Sequence, residues 1–101
     1  MSNCLESKIE KLFCKKVCSA GGLALKFTSP SYRGVPDRLV LYNGEAFFAE
    51  LKRPGEHLRK LQEYRKREFA GYGFRVFTID SEKAVDNFIE YMRKCADYGG
   101  M

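Results

Sequence analysis

Two carboxylates and one lysine occupy positions from which they could share a single site. Asp37 comes directly before a strand-like run, and Glu50 and Lys52 lie at the end of a second run. Paired carboxylates are ligands for divalent cations, and a lysine beside them can offset negative charge on a phosphate. If the two runs pair, the spacing therefore indicates metal-dependent chemistry on a phosphate ester.

The segments that carry these residues have the sequence pattern of a β-hairpin. Only the dipeptide Asn43-Gly44 separates the runs Arg38–Tyr42 and Glu45–Lys52. This dipeptide is preferred in two-residue type I′ turns, because both turn residues adopt positive φ. In such a turn Tyr42 faces Glu45, and every other opposite pair of residues follows from this one.

The predicted register brings the three candidate residues to one face of the hairpin. Counting back from the turn places Asp37 opposite Glu50, and strand alternation puts Lys52 on the same face. Opposite Cβ atoms lie about 4.5–5.5 Å apart, so two negative charges there need a neutralising partner such as a divalent cation. Each residue also has a simpler interpretation: a turn residue for Asp37, a solvated strand end for Glu50 and an ion-pair partner for Lys52.

Hydrophobic periodicity predicts the elements around the hairpin. Helices are expected over Asn3–Gly21, Glu56–Ala70 and Ser81–Ala96, with further strands over Leu23–Thr28 and Phe74–Ile79. The order α-β-β-β-α-β-α predicts an α/β fold with a mixed four-stranded sheet flanked by helices. The hairpin is antiparallel, and the last strand joins in parallel through a right-handed crossover. Residues 1–101 are expected to form one domain.

The composition excludes several classes of protein. No apolar run approaches the roughly 20 residues of a membrane span, and the N-terminal segment lacks the apolar stretch of a secretory signal. We therefore expect a cytoplasmic protein with reduced cysteines and no membrane partner. The four cysteines and the one histidine, His57, do not have the spacing of a zinc site. Any metal would be held by oxygen ligands.

Two side chains on predicted helices could complete the site. Glu10 borders the apolar stripe of the first helix and could bring a third carboxylate, a role for which Glu6 competes. Gln62 lies at the edge of the apolar stripe of the second helix. Polar residues are common at such boundaries. The pattern alone therefore leaves Glu10 and Gln62 open as either boundary residues or site residues.

Positive charge is concentrated between Lys52 and Arg67. This segment holds seven basic and two acidic residues, while the whole chain has 18 Lys and Arg against 13 Asp and Glu, a net charge of +5. Clustered basic charge favours a polyanionic partner, although a solvated helix face is the simpler interpretation. The buried stripe of the second helix is expected to comprise Leu58, Leu61, Phe69 and Tyr72. Arg59 and Lys66 lie just beyond its edge, where they could contact a phosphate backbone.

Three strings in order resemble the VRR-NUC family of PD-(D/E)XK nucleases, in particular its small standalone phage-type members. They are Gly34-Val35-Pro36-Asp37-Arg38, Ala49-Glu50-Leu51-Lys52-Arg53-Pro54 and Gln62. Similar flanking signals extend the likeness over nearly the whole chain: Ile9-Glu10 before Gly21-Gly22, Lys26, and Gly73-Phe74-Arg75-Val76. The resemblance implies a restriction-endonuclease-like core.

The resemblance also implies a role for each matching residue. The expected catalytic residues are Glu10, Asp37, Glu50, Lys52 and Gln62. The expected metal-binding residues are Asp37, Glu50 and Leu51, with Mg²⁺ or Mn²⁺ as the cofactor, and the expected DNA-binding residues are Lys26, Arg53, Arg59 and Lys66. A metal held in this way would polarise a phosphate oxygen and activate water, while Lys52 would position that water or offset charge on the phosphate.

The residues and the resemblance together predict a metal-dependent DNA endonuclease. The resemblance further implies branched DNA such as Holliday junctions, in a phage or bacterial host cell. Cutting two strands of a symmetric junction requires two active sites, so we expect a homodimer. Two other functions remain open: a noncatalytic nucleic-acid-binding module that uses the basic segment, and a protein-interaction subunit with a nuclease-like fold. The presence of Asp37, Glu50 and Lys52 favours the enzyme.

Overall fold

The elements follow the predicted order. The structure, a computed structural model, describes residues 8–53 and 57–99, with side chains up to Cys95. Its helices are α1 (Lys8–Ser19), α2 (Lys60–Gly71) and α3 (Glu82–Gly99), and its strands are β1 (Leu23–Lys26), β2 (Arg38–Tyr42), β3 (Glu45–Leu51) and β4 (Val76–Ile79). The expected helix start at Asn3 and the competing carboxylate Glu6 lie outside the described residues.

The four strands form one mixed sheet in the order β1-β2-β3-β4. β1, β2 and β3 pair as antiparallel neighbours, and β4 joins β3 in parallel, as predicted. The turn between β2 and β3 has left-handed backbone at both positions, with φ 50° at Asn43 and 82° at Gly44. Tyr42 therefore faces Glu45, and the register continues to the pair Arg38 and Ala49. The predicted hairpin register is confirmed.

The core lies between one face of the sheet and the helices α1 and α3. It consists of the buried residues Phe13, Val17, Val40, Phe47, Ala49, Ile79, Val85, Phe88 and Met92. The ring centroid of Phe88 lies 5.2 Å from Phe13, 5.1 Å from Phe77 and 6.0 Å from Phe47. Ring pairs at these separations stabilise a fold beyond the burial of their area. Phe88 thus joins α3 to α1 and to two strands.

Helix α2 lies on the opposite face of the sheet and is less buried. The ring of Phe69 lies 5.0 Å from that of Phe48, and Phe74 contacts the same ring at 5.6 Å. No residue of α2 is fully buried. The predicted stripe is therefore wrong in part, because Leu61 is 40% exposed and Tyr72 is 79% exposed. Tyr72 is the C-terminal cap residue, where helical periodicity no longer directs a side chain toward the sheet.

The starts of α2 and α3 show which side chains decide where a helix begins. The hydroxyl of Ser81 accepts a hydrogen bond of 3.1 Å from the first turn of α3 and so caps this helix at its predicted start. Helix α2 begins at Lys60, later than the predicted start at Glu56. Arg59 has extended backbone, with ψ 157°, and its N–H donates to Gln62 Oε1 at 2.9 Å. Gln62 therefore holds the first turn of α2. The outer strands β1 and β4 are both shorter than predicted.

Three further features of the described residues concern membrane spans, cysteines and clusters of metal-binding side chains. None of the described helices is both long and apolar enough to cross a membrane. Cys18 and Cys95 form no disulfide within the described part of the chain, and Cys4 lies outside it. In the described part of the chain, no three His, Cys, Asp or Glu side chains are grouped so that they could hold one metal ion.

Replacing Phe88 should destabilise the protein more than replacing an aromatic residue on the other face. Phe88→Leu removes three ring contacts and leaves a small cavity, so we expect a loss of about 2 kcal/mol in the free energy of unfolding. The matched variant Phe74→Leu, at a residue that is 45% exposed, should lose less than about 1 kcal/mol. Urea unfolding followed by circular dichroism measures both values. Equal losses would contradict the assignment of Phe88 to the centre of the core.

Candidate active site

The carboxylate of Glu50 is buried at the end of β3, on the face where α2 lies. Its neighbour Ala49 faces the core, so strand alternation turns Glu50 to the other side, where it is 5% exposed. Gln62 Nε2 donates to Glu50 Oε2 at 2.6 Å. The ammonium of Lys52 lies 3.9 Å from the same oxygen. An amide from α2 and a cation from the end of the sheet therefore hold one carboxylate oxygen.

Asp37 is joined to both neighbouring strands. It precedes β2 by one residue, so the hairpin register continues to place it opposite Glu50. Its Oδ1 accepts a hydrogen bond of 3.2 Å from the N–H of Leu51, and its main-chain oxygen accepts one of 2.9 Å from the N–H of Phe27. The predicted positions of Asp37, Glu50 and Lys52 thus come together at one end of the sheet.

Burial makes it costly for both carboxylates to be charged. Burial, and after it the negative charge of Asp37, raises the pKa of Glu50 from 4.5 to about 7, while the charge of Lys52 acts in the opposite direction. Burial also raises the pKa of Asp37, against the effect of its hydrogen bond from Leu51. A group with a raised pKa in a cluster of charged side chains is a candidate functional residue. This pair would be stabilised by a counter-cation.

The donors present fit a hard divalent cation. Two carboxylates offer oxygen ligands, and Leu51, between Glu50 and Lys52, can offer its main-chain carbonyl. Mg²⁺ and Mn²⁺ bind such sets and leave the remaining positions to water and to substrate oxygens. Asp37, Glu50 and Leu51 could therefore hold one of these ions.

Glu10 lies near the pair and is engaged by an arginine. Arg38 Nη2 donates to Glu10 Oε2 at 2.8 Å, and the charge of Glu10 contributes to the raised pKa of Asp37. Arg38 is 4% exposed. Arg38 was not among the predicted site residues, although alternation places it on the core face of β2 with Val40. A cation buried there requires an anionic partner, which was the available signal.

The four expected DNA-binding residues do not form one surface. Arg59 is exposed and close enough to Glu50 to lower its pKa, and Arg53 is exposed next to Lys52 along the chain. Lys66 is half-buried, and its Nζ donates to Thr78 Oγ1 on β4 at 3.0 Å. Lys26 pairs with Arg38 and lies on the α1 side of the sheet. Arg53 and Arg59 are thus the best placed to contact a substrate.

The residues that attach the loop before Asp37 to α2 were also not among the predicted site residues. Arg65 donates to the main-chain oxygen of Arg33 at 2.7 Å, and Tyr32 donates to Glu68. Hydrophobic periodicity carries no signal for contacts of this kind. The features of the sequence closest to such a signal are the composition of the loop before Asp37 and a basic residue on the side of α2 that faces the sheet.

The chain is similar to known proteins in sequence and in structure. “Putative nuclease p44” of Acyrthosiphon pisum secondary endosymbiont phage 1 is 47% identical over 81 residues, which cover 76% of this chain and 84% of the relative. A solved structure described as a VRR-NUC domain matches with a TM-score of 0.77 and 31% identity, over 84% of this chain and 94% of that one. No protein-family model matches. The chain belongs to the VRR-NUC family of nucleases and has its PD-(D/E)XK-like core.

Proposed function

We propose that this chain is a Mg²⁺- or Mn²⁺-dependent endodeoxyribonuclease that hydrolyses phosphodiester bonds in branched DNA such as Holliday junctions. The observation that carries the proposal is the environment of Glu50 Oε2, which is bound by Gln62 and neighboured by Lys52, with Asp37 beside it. Residues 1–101 act as a single nuclease domain in the cytoplasm of a bacterial host cell. The phage source of the similar protein supports this setting.

The side chains of the site divide the work of hydrolysis. Asp37, Glu50 and the main chain of Leu51 would hold the cation, which supplies polarisation of a phosphate oxygen and a lower pKa for water. Lys52, with its ammonium beside Glu50, is placed to orient the attacking water and to offset charge that develops on the phosphate. Gln62 donates to Glu50 and has no titratable group, so it orients the carboxylate across the working pH range.

Contacts with the DNA backbone come from the exposed arginines beside the site. Arg53 and Arg59 would bind phosphate groups whatever the base sequence of the substrate, and such contacts supply affinity and orientation. The choice of branched DNA follows the resemblance to small standalone phage-type members of the family. Because each chain carries one active site, two chains would be needed to cut the two equivalent strands of such a junction.

The proposed homodimer is supported by exposed leucines on the α2 side of the sheet. Leu23 is 54% exposed, Leu41 is 41% exposed and Leu25 is 38% exposed. Leu23 and Leu41 face each other across β1 and β2, and Leu25 lies one alternation further on. Clustered apolar side chains on a surface mark interaction sites, and a symmetric pair of chains would cover the same surface on each. We assign this surface to a second copy of the chain.

Cleavage should depend on the cation and on the site. With labelled single-stranded, duplex, flap and four-way-junction DNA, we expect cutting of the junction in Mg²⁺ or Mn²⁺ and none in EDTA. Glu50→Gln and Lys52→Ala should each lower the cleavage rate by at least about 100-fold, because they remove a metal ligand and a phosphate-stabilising charge. DNA affinity measured in EDTA should remain, since the exposed arginines are unchanged.

The matched control for Glu50→Gln is Glu45→Gln. Glu45 lies on the same strand, is exposed, and starts β3 at the hairpin turn. Glu45→Gln removes the same charge as Glu50→Gln and should leave the cleavage rate within about twofold of the wild-type rate, because surface substitutions have small effects. Wild-type cleavage by a folded Glu50→Gln protein would contradict the site. DNA binding without cleavage of any substrate in either metal would favour the noncatalytic binding module.

The metal-free protein should lose stability as the pH rises from 4.5 to 7. The folded state keeps a proton on Glu50 up to about pH 7, whereas the unfolded state releases it near 4.5. The contribution of protonated Glu50 to the free energy of unfolding is thus fully present below pH 4.5 and is lost as the pH rises through 7. Relative to Glu50→Gln, the expected loss is about 3 kcal/mol. Urea unfolding in EDTA at a series of pH values measures this difference. Parallel curves for the two proteins would contradict the buried carboxyl.

The dimer should dissociate when charge is placed on its proposed surface. Leu41→Arg places a cation within the apolar surface of both copies, so light scattering at micromolar concentration should give the mass of one chain instead of two. The control is Tyr64→Arg, which adds the same charge at an exposed aromatic residue of α2 and should leave the mass of two chains. A single-chain mass for the wild-type protein, free and bound to a junction, would rule out the dimer.

A further inference from the structure

We propose that Arg65 is a positioning residue of this nuclease. It fixes residues 29–36, here called the motif loop, against α2, and so sets where Asp37 lies relative to Gln62 and Glu50. The inference rests on the proposed function for its kinetic consequence only. Arg65 lies within the basic segment between Lys52 and Arg67, but its guanidinium is engaged within the protein.

The side chain of Arg65 is bound on several sides. It is 14% exposed and forms an ion pair of 3.3 Å with Glu68 Oε1. Its Nε donates to the main-chain oxygen of Arg33 at 2.7 Å, and its central carbon lies 3.8 Å from the ring centroid of Tyr32. The hydroxyl of Tyr32 in turn donates to Glu68 Oε2. One planar guanidinium thus joins the loop main chain, a loop aromatic ring and a helical carboxylate.

The main chain of the motif loop rests directly on the same face of α2. Gly34 has φ +85°, and a Cβ atom there would lie 2.7 Å from Leu61 Cγ and 3.2 Å from Arg65 Cγ. Leu61, Arg65 and Glu68 are spaced four and three residues apart, so they share one face of the helix. Only a residue without a side chain allows the loop to approach α2 this closely.

These contacts connect two parts of the active site. Gly34 precedes Asp37 by three residues, and the intervening Pro36 is buried, so the loop has little freedom between them. Gln62 follows Leu61 directly and lies one turn before Arg65. Helix α2 has no fully buried residue, so its packing on the sheet alone fixes it weakly. A displacement of about 1 Å at a reacting group can cost about 100-fold in rate.

The test compares two variants that loosen the loop with one matched control. Arg65→Ala removes the guanidinium, and Gly34→Ala pushes the loop away from α2 with no change of charge. Arg93→Ala is the control, because it removes the same charge from an exposed position on α3, on the opposite face of the sheet. Junction cleavage is measured in Mg²⁺ well below the melting temperature of each variant, to give kcat and KM separately. DNA affinity is measured in EDTA as a function of salt.

A second readout uses no catalysis. Gln62 is the only glutamine in the chain, so labelling with glutamine that carries ¹⁵N in the side chain gives one pair of amide resonances. In the metal-free protein this amide donates to Glu50, and its chemical shift reports whether α2 holds Gln62 in place. We expect Arg65→Ala and Gly34→Ala to move these resonances and to lower kcat by about 10- to 100-fold, with KM within about threefold. Arg93→Ala should change neither.

A direct contact between Arg65 and DNA would give a different result. Loss of one phosphate contact reduces the slope of log affinity against log salt by about 0.9. A reduced slope in Arg65→Ala, with wild-type kcat and unmoved Gln62 resonances, would overturn the proposal. Unmoved resonances in Gly34→Ala would also overturn it. If the wild-type protein cleaves no DNA, the proposed function fails, while the Gln62 resonances still decide whether Arg65 positions the site.

Discussion

The left-handed backbone at Asn43 and Gly44 sets the register of β2 against β3, and the site follows from that register. A two-residue turn leaves one way to pair the strands, and that pairing puts Asp37 and Glu50 side by side. A shift by one residue would turn Glu50 toward the core and Ala49 toward α2. The chemistry at one end of the sheet therefore depends on a turn at the other end.

The sheet separates the residues that stabilise the fold from those that form the site. Phe13, Phe47 and Phe88 pack on the face covered by α1 and α3, where the buried residues that the structure describes include no acid. The buried acid Glu50 lies on the other face, beside α2. A buried carboxyl group with a raised pKa destabilises the folded protein near neutral pH. The aromatic core offsets this cost.

Features set by neighbouring residues could be predicted from the sequence, and features set by distant side chains could not. The hairpin register, the mixed sheet and the cap at Ser81 follow from local patterns. The pairing of Arg38 with Glu10 joins residues far apart in the chain, and the late start of α2 depends on Gln62 binding a main-chain group. Metal ligation and the DNA-contacting roles of the candidate residues remain predictions.

The shallow attachment of α2 has a consequence for how the protein loses activity. Phe69 on Phe48, Lys66 on Thr78 and the motif loop connect this helix to the rest of the molecule, and the aromatic core does not include it. Elements with few buried contacts open at a lower free energy than the whole fold. A local opening of α2 would withdraw Gln62 from Glu50 while the sheet and its other helices stay folded. Inactivation can thus precede denaturation, and spectroscopic evidence of native structure would overestimate the fraction of competent enzyme.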